Sequence, residues 1–82
     1  ARLLKQVAAG DRAALGALYR ATAAKLYGVV LRILKDQGES EDVVQDVYMV
    51  VWRRAGAFDA QRGSPITWLA AIARNRAIDR LR

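Results

Sequence analysis

Three observations predict an all-α fold, a compact bundle of three to four helices. Apolar residues recur at spacings of three and four with no sustained alternation. The 82 residues contain a single proline, and capping residues stand where the apolar periodicity breaks. A chain of this length has room for one domain, residues 1–82, with a modest core.

The first helix is short, over about 2–9, and ends at Gly10. Asp11 is placed to cap a second helix over about 12–34, with Leu15, Leu18, Tyr19, Thr22, Leu26, Val29, Val30 and Ile33 toward one side. At 1.5 Å per residue this helix measures about 34 Å and spans the domain. Asp36, Gln37, Gly38 and Glu39 interrupt the pattern, and Ser40 is expected to cap a third helix over about 41–55. Glu41 and Asp42 then meet the positive end of that helix's dipole. The valines at 43, 44, 47, 50 and 51, together with Tyr48, are weak helix formers. They also exceed what one buried stripe requires, so the helix must pack on more than one side: one side the core, another a partner.

An irregular segment follows Gly56, running from Ala57 to Gly63. Ser64 and Pro65 open a fourth helix over about 65–82, with Ser at the cap and Pro at the first helical position. Ile66, Leu69, Ala70, Ala73, Ala77 and Leu81 are expected to face the core, and Trp68, Ala71, Arg74, Asn75, Ile78 and Arg82 the sides. Alanines throughout helices one, two and four permit close helix approach.

Composition narrows the function classes. The chain has no Cys and no His, which removes disulfides and the usual zinc ligands. The same absence removes the commonest general bases and nucleophiles. The acids gather around one turn, no glycine-rich phosphate cradle is present, and the pairs Arg76 with Asp79 and Asp79 with Arg82 read as surface ion pairs at i,i+3. The reading is a non-enzyme without cofactor or metal. No apolar run approaches the roughly 20 residues of a membrane span, and no basic segment followed by an apolar one opens the chain, so a cytoplasmic protein without membrane insertion is expected.

Charge is distributed in blocks. The net charge is +6; residues 1–35 carry seven basic side chains against Asp11 alone. Residues 36–52 carry five acids and no base, and residues 53–82 carry seven arginines against Asp59 and Asp79. Two basic blocks around an acidic one suggest two surfaces for two kinds of partner. The choice of arginine in the last block favours phosphate and base contacts, since guanidinium binds phosphate bidentately and stacks on bases.

The stretch from Glu41 to Ala55 (EDVVQDVYMVVWRRA) is followed by Phe58 and Asp59, then Arg62 to Pro65, then Ile66 to Arg82 (ITWLAAIARNRAIDRLR). In this order and spacing the chain resembles region 2 of bacterial sigma factors, most closely the extracytoplasmic-function group, over essentially its whole length. The resemblance implies a domain that binds the clamp coiled coil of the largest RNA polymerase subunit. It also implies recognition and melting of the promoter minus-ten element through the non-template strand. Carried over by position, Asp42, Gln45 and Asp46 belong to the polymerase-binding helix, with Tyr48, Met49 and Trp52 near enough along it to extend the contact. Arg54, Arg62, Gly63, Ser64, Thr67, Trp68, Arg74 and Asn75 fall where the family contacts DNA, and Phe58 reads as the plug that fixes the loop.

Both tryptophans can equally face the core. The single Trp68, followed by Leu69, departs from the adjacent tryptophans of primary sigma factors and implies weaker intrinsic melting. The resemblance also implies that a second, minus-thirty-five-reading domain belongs to a complete member, so the chain reads as an excised domain, and that an anti-sigma factor is a partner. The alternatives are a duplex-reading helical domain and a non-catalytic adaptor bundle, but the 56–64 loop is too long for a helix-turn-helix turn.

Overall fold

The computed structural model describes residues 2–82. Four helices make up the domain: α1 (Arg2–Ala8), α2 (Arg12–Leu34), α3 (Gln37–Arg54) and α4 (Pro65–Leu81). Two 3₁₀ turns, Ala55–Ala57 and Ala60–Arg62, lie between α3 and α4, and there is no strand among the described residues. The 23 residues of α2 account for the longest dimension, 33 Å, and α1, α3 and α4 all pack against it.

Seven residues are too few for a helix to persist on propensity alone. Packing of Leu4 and Val7, both buried, stabilises α1 by about 1.5–3 kcal/mol for each side chain. The turn after it closes through Gly10, at φ 92°, whose N–H donates to the Val7 carbonyl while the Asp11 N–H donates to that of Gln6. This left-handed residue is the usual way to satisfy the last carbonyls of a helix. Asp11 then caps α2 as expected, accepting from the Ala14 N–H at 3.2 Å.

The third helix begins earlier than its sequence suggests. Asp36, in an extended conformation, is the cap, accepting from the Glu39 N–H at 2.8 Å, and α3 starts at Gln37. Ser40 lies inside the helix, wholly buried, with its hydroxyl donating to the Asp36 carbonyl at 2.6 Å. Glycine at position 38 weakens the periodic signal but does not stop the helix, because the Asp36 carboxylate at its cap satisfies one of its free donors, the Glu39 N–H. Glu39, rather than Glu41 and Asp42, stands in the first turn.

At the other end of the bundle Ser64 and Pro65 begin α4 as expected, with the Thr67 N–H donating to Ser64 Oγ at 3.3 Å. Leu69, Ala73 and Ala77 are fully buried, and two of these are alanine, so α4 can lie close against α2 and α3. Leu81, expected in the core, is instead 61% exposed, because it lies in the last turn of α4, beyond the buried Ala77. The end of α4 is tied to the start of α3 by Arg80, whose guanidinium lies 3.0 Å from Glu39. Among the described residues no ion pair within 4.0 Å joins Asp79 to Arg76 or Arg82, contrary to the i,i+3 expectation.

Candidate nucleic-acid interface and acidic helix face

The segment between α3 and α4 is held by its own short-range bonds. Asp59 accepts from the Gln61 N–H at 2.9 Å with its side chain and from the Arg62 N–H at 3.0 Å with its carbonyl, which closes the second 3₁₀ turn. Gly63 follows at φ 151° and ψ 179°, a conformation essentially confined to glycine. A Cβ at Gly63 would meet Thr67 carbons at 3.9 Å, ordinary contact, so the need for glycine is conformational rather than steric. The Ser64 and Thr67 hydroxyls, 2.9 Å apart, complete the entry into α4.

This loop and the first turns of α4 enclose an open recess of about 370 Å³, lined by Phe58, Asp59, Arg62, Gly63, Ser64, Thr67 and Trp68 with two alanines. Phe58 and Trp68 meet edge to face, with ring centroids 5.6 Å apart, and both are half-buried. Phe58 therefore braces the recess while keeping one face in it. The Arg62 side chain is 88% exposed and lies 3.9 Å from Asp59 through Nε, a contact too loose and wet to hold it in place. Underneath, α1 packs against the first 3₁₀ turn, so the loop rests on the core through Leu4 and Ala55.

Five of the eight residues read as nucleic-acid contacts, Arg62, Gly63, Ser64, Thr67 and Trp68, thus share one recess. Arg54 and Asn75 lie in a second, smaller one of about 240 Å³ between the end of α3 and α4, on the other side of Trp68. Arg74 is exposed and lines neither. Sequence reasoning did not find Ala71 in the first recess or Val50, Ile72, Arg76 and Asp79 in the second. The apolar members carried no signal beyond helical periodicity.

On α3, Asp42, Gln45, Asp46 and Met49 are exposed. Their spacing of three, four and seven residues makes a single stripe. Met49, at 58% exposure, is the apolar member at the C-terminal end of that otherwise polar stripe. Trp52 continues the stripe but is half-buried against the core. Tyr48 does not belong to it: at 5% exposure it is a core residue, edge to face with Tyr19 at 4.9 Å and hydrogen-bonded to the Thr22 hydroxyl. Burial pushes the Tyr48 hydroxyl above its ordinary pKa, the Thr22 hydrogen bond opposes this, and Tyr19 adds to the rise. The expected surface role of Tyr48 yields to the α2–α3 packing, since Tyr48 falls one residue to the buried side of Met49.

Among the described residues no cluster of acids is placed to hold a metal ion, and no helix is long and apolar enough to cross a membrane.

Comparison with known proteins agrees with this geometry. The model of the family described as Sigma-70 region 2 matches residues 18–82. The chain is 50% identical over 80 residues to the ECF RNA polymerase sigma factor SigK of Mycobacterium sp. (strain KMS), covering 98% of this chain and 42% of that protein. It is 46% identical over 80 residues to SigK of Mycobacterium ulcerans (strain Agy99) and 45% to that of Mycobacterium tuberculosis (strain ATCC 25177 / H37Ra), with 98% of this chain and 43% of each relative covered. The chain thus spans less than half the length of these relatives. It belongs to the sigma-70 region 2 family, and within it to the extracytoplasmic-function type.

Proposed function

We propose that this domain docks on the clamp coiled coil of the largest RNA polymerase subunit through the α3 stripe and takes up the non-template strand of the promoter minus-ten element at the loop recess. The observation that carries the reading is the convergence of Arg62, Gly63, Ser64, Thr67 and Trp68 on one open recess that shares no residue with Asp42, Gln45, Asp46 and Met49. Two partners can therefore be held at once.

The chemistry of the recess suits an unstacked base. Extruding a base costs a few kcal/mol of stacking, which a pocket must replace with aromatic contact and edge hydrogen bonds. The half-buried rings of Phe58 and Trp68 offer the apolar contact, and the Ser64 and Thr67 hydroxyls offer donors and acceptors. The exposed guanidiniums of Arg62 and Arg54 supply the positive surface that tracks phosphates, and Asn75 can read a base edge. On α3, the carboxylates call for a basic partner surface, with Met49 as the apolar contact beside them. An anti-sigma factor covering either surface would hold the domain inactive. Both activities belong to the bacterial cytoplasm.

Binding to the isolated clamp coiled coil tests the polymerase half of the reading. Saturable binding by the parent, lost in a Gln45→Ala/Asp46→Arg double variant that keeps its helical circular dichroism, supports it. Equal binding by parent and variant, or none by the parent, overturns it.

A further inference from the structure

The loop recess has a second cavity beneath it. About 400 Å³ in volume, it lies between α1 and the segment from Ala55 to Ala60, with Leu4 and Ala8 on one side and Ala55, Gly56 and Ala60 on the other. Phe58 and Asp59 are the two residues common to both cavities, so they form the wall between them. The backbone of that wall is tied down: the Phe58 N–H donates to the Ala55 carbonyl at 3.2 Å, and Asp59 accepts from the N–H groups of Gln61 and Arg62. The Asp59 carboxylate is thereby engaged, which leaves the Phe58 ring as the movable part. Its backbone is extended, at φ −65° and ψ 132°, a conformation in which χ1 values near 180° and near −60° are both common.

In the observed position the ring meets Trp68 edge to face at 5.6 Å. Such a pair shifts an equilibrium by about two- to twelvefold, enough to set a preference and too little to lock it. The ring also stands against the indole that an unstacked base must reach, so base and phenyl compete for Trp68. A displaced phenyl needs an apolar place, because leaving it in water would cost more than the pair it gave up. The lower cavity supplies one. Its volume of about 400 Å³ exceeds the roughly 150 Å³ that accommodates benzene in an apolar protein cavity. Leu4, 2% exposed, lies at its base, and its other walls are mostly alanine and glycine, which leaves the room.

We propose that Phe58 is a two-position side chain: on Trp68 in the free domain, narrowing the loop recess, and over Leu4 in the lower cavity when a base takes its place. The base drives the change because it gains the Trp68 contact only in the second position. This gives α1, which lies outside the residues 18–82 matched by the family model, a part in DNA binding as the element that receives the ring. The inference rests on the reading that the loop recess takes up an unstacked base, and adds how the recess opens.

The test is a double-mutant cycle on the affinity of fork-junction DNA for bacterial polymerase core loaded with this chain, each variant first checked for parent-like helical circular dichroism. Ala8→Trp fills the lower cavity from the exposed end of α1, Phe58→Ala removes the ring that needs it, and Ala13→Trp, on an exposed position that lines neither cavity, is the control. Each is measured on a fork bearing minus-ten bases and on the same fork made abasic there. Ala8→Trp is expected to weaken the base-bearing fork about tenfold, to leave the abasic fork unchanged, and to have no effect once Phe58 is alanine. Ala13→Trp is expected to match the parent on both. Parent-like affinity in Ala8→Trp, a loss shared by the abasic fork, or a loss that persists in the Phe58→Ala background overturns the two-position side chain and leaves the promoter reading standing. A parent that binds the two forks alike overturns both.

Discussion

The hydroxyls of Tyr48 and Thr22 join the two longest helices through a hydrogen bond whose direction can be assigned. Thr22 Oγ1 donates its proton to the Leu18 carbonyl at 2.7 Å, so in the neutral pair the phenol donates to Thr22; once the phenol ionises it accepts the Thr22 proton instead, which is how this bond opposes the rise in its pKa. A chain of two bonds thus runs from α3 into the backbone of α2, beside the Tyr19 ring.

Removing the phenolic oxygen in Tyr48→Phe leaves Thr22 Oγ1 without that donor, and the expected cost is about 0.5–1.5 kcal/mol. The raised pKa of Tyr48 also has a pH signature. Its contribution is fully present below the unfolded value near 10.0 and is lost as pH rises through the higher folded value. Thermal melts followed by circular dichroism from pH 8 to 11.5 should show the parent losing stability above pH 10 more steeply than Tyr48→Phe.

Cap identity separates Asp36 from Ser40. Asp36→Ala removes the acceptor for the Glu39 N–H and should cost about 1 kcal/mol. Ser40→Ala removes a hydroxyl that bonds only to a carbonyl already serving the helix, the Asp36 oxygen that also takes the Ser40 N–H, and should cost less. Urea midpoints at constant m-value would rank the two, and a larger loss in Ser40→Ala would put the helix start back at residue 41.

Gly63→Ala forces a side chain into φ 151°, ψ 179° at a strain of about 1–3 kcal/mol. The loop is exposed and can relax, so the far-ultraviolet spectrum should remain that of the parent. The recess should deform, and binding of minus-ten single strands to the polymerase complex should fall roughly tenfold. Parent-like binding would mean that the Gly63 backbone does not shape the site.

Arg54 and Arg62, assigned to phosphates, should act alike on every sequence. Each change to alanine is expected to reduce the slope of log affinity against log salt by about 0.7 for a single strand, without altering base preference. A change of preference in either variant would move that residue from phosphate to base contact.

Much of this molecule was legible in the chain, because the signals concerned are local. Asp11 before α2 and the Ser64–Pro65 pair before α4 satisfy free helix donors within three residues, so the sequence names those helix starts directly. The motif stretches from Glu41 to Ala55 and from Arg62 to Arg82 likewise carry the resemblance that gives the family without coordinates. The start of α3 was obscured because two candidate caps, Asp36 and Ser40, stand one turn apart around a glycine. Only backbone geometry chooses between them.

Packing decided the rest. Tyr48 and Met49 are adjacent in sequence and opposite in fate, one at 5% exposure and the other at 58%, since about 100° of helical rotation puts the first against α2 and the second in water. Periodicity alone left both open, because the valines of α3 spread apolar character around more than one side. Likewise the diversion of Arg80 to Glu39, 41 residues away, leaves Asp79 unpaired, although every local rule pairs it. Sequence determined what each helix is and where most begin; the tertiary structure alone determined which polar groups are already satisfied and which are left free for a partner, because that depends on neighbours distant in the chain.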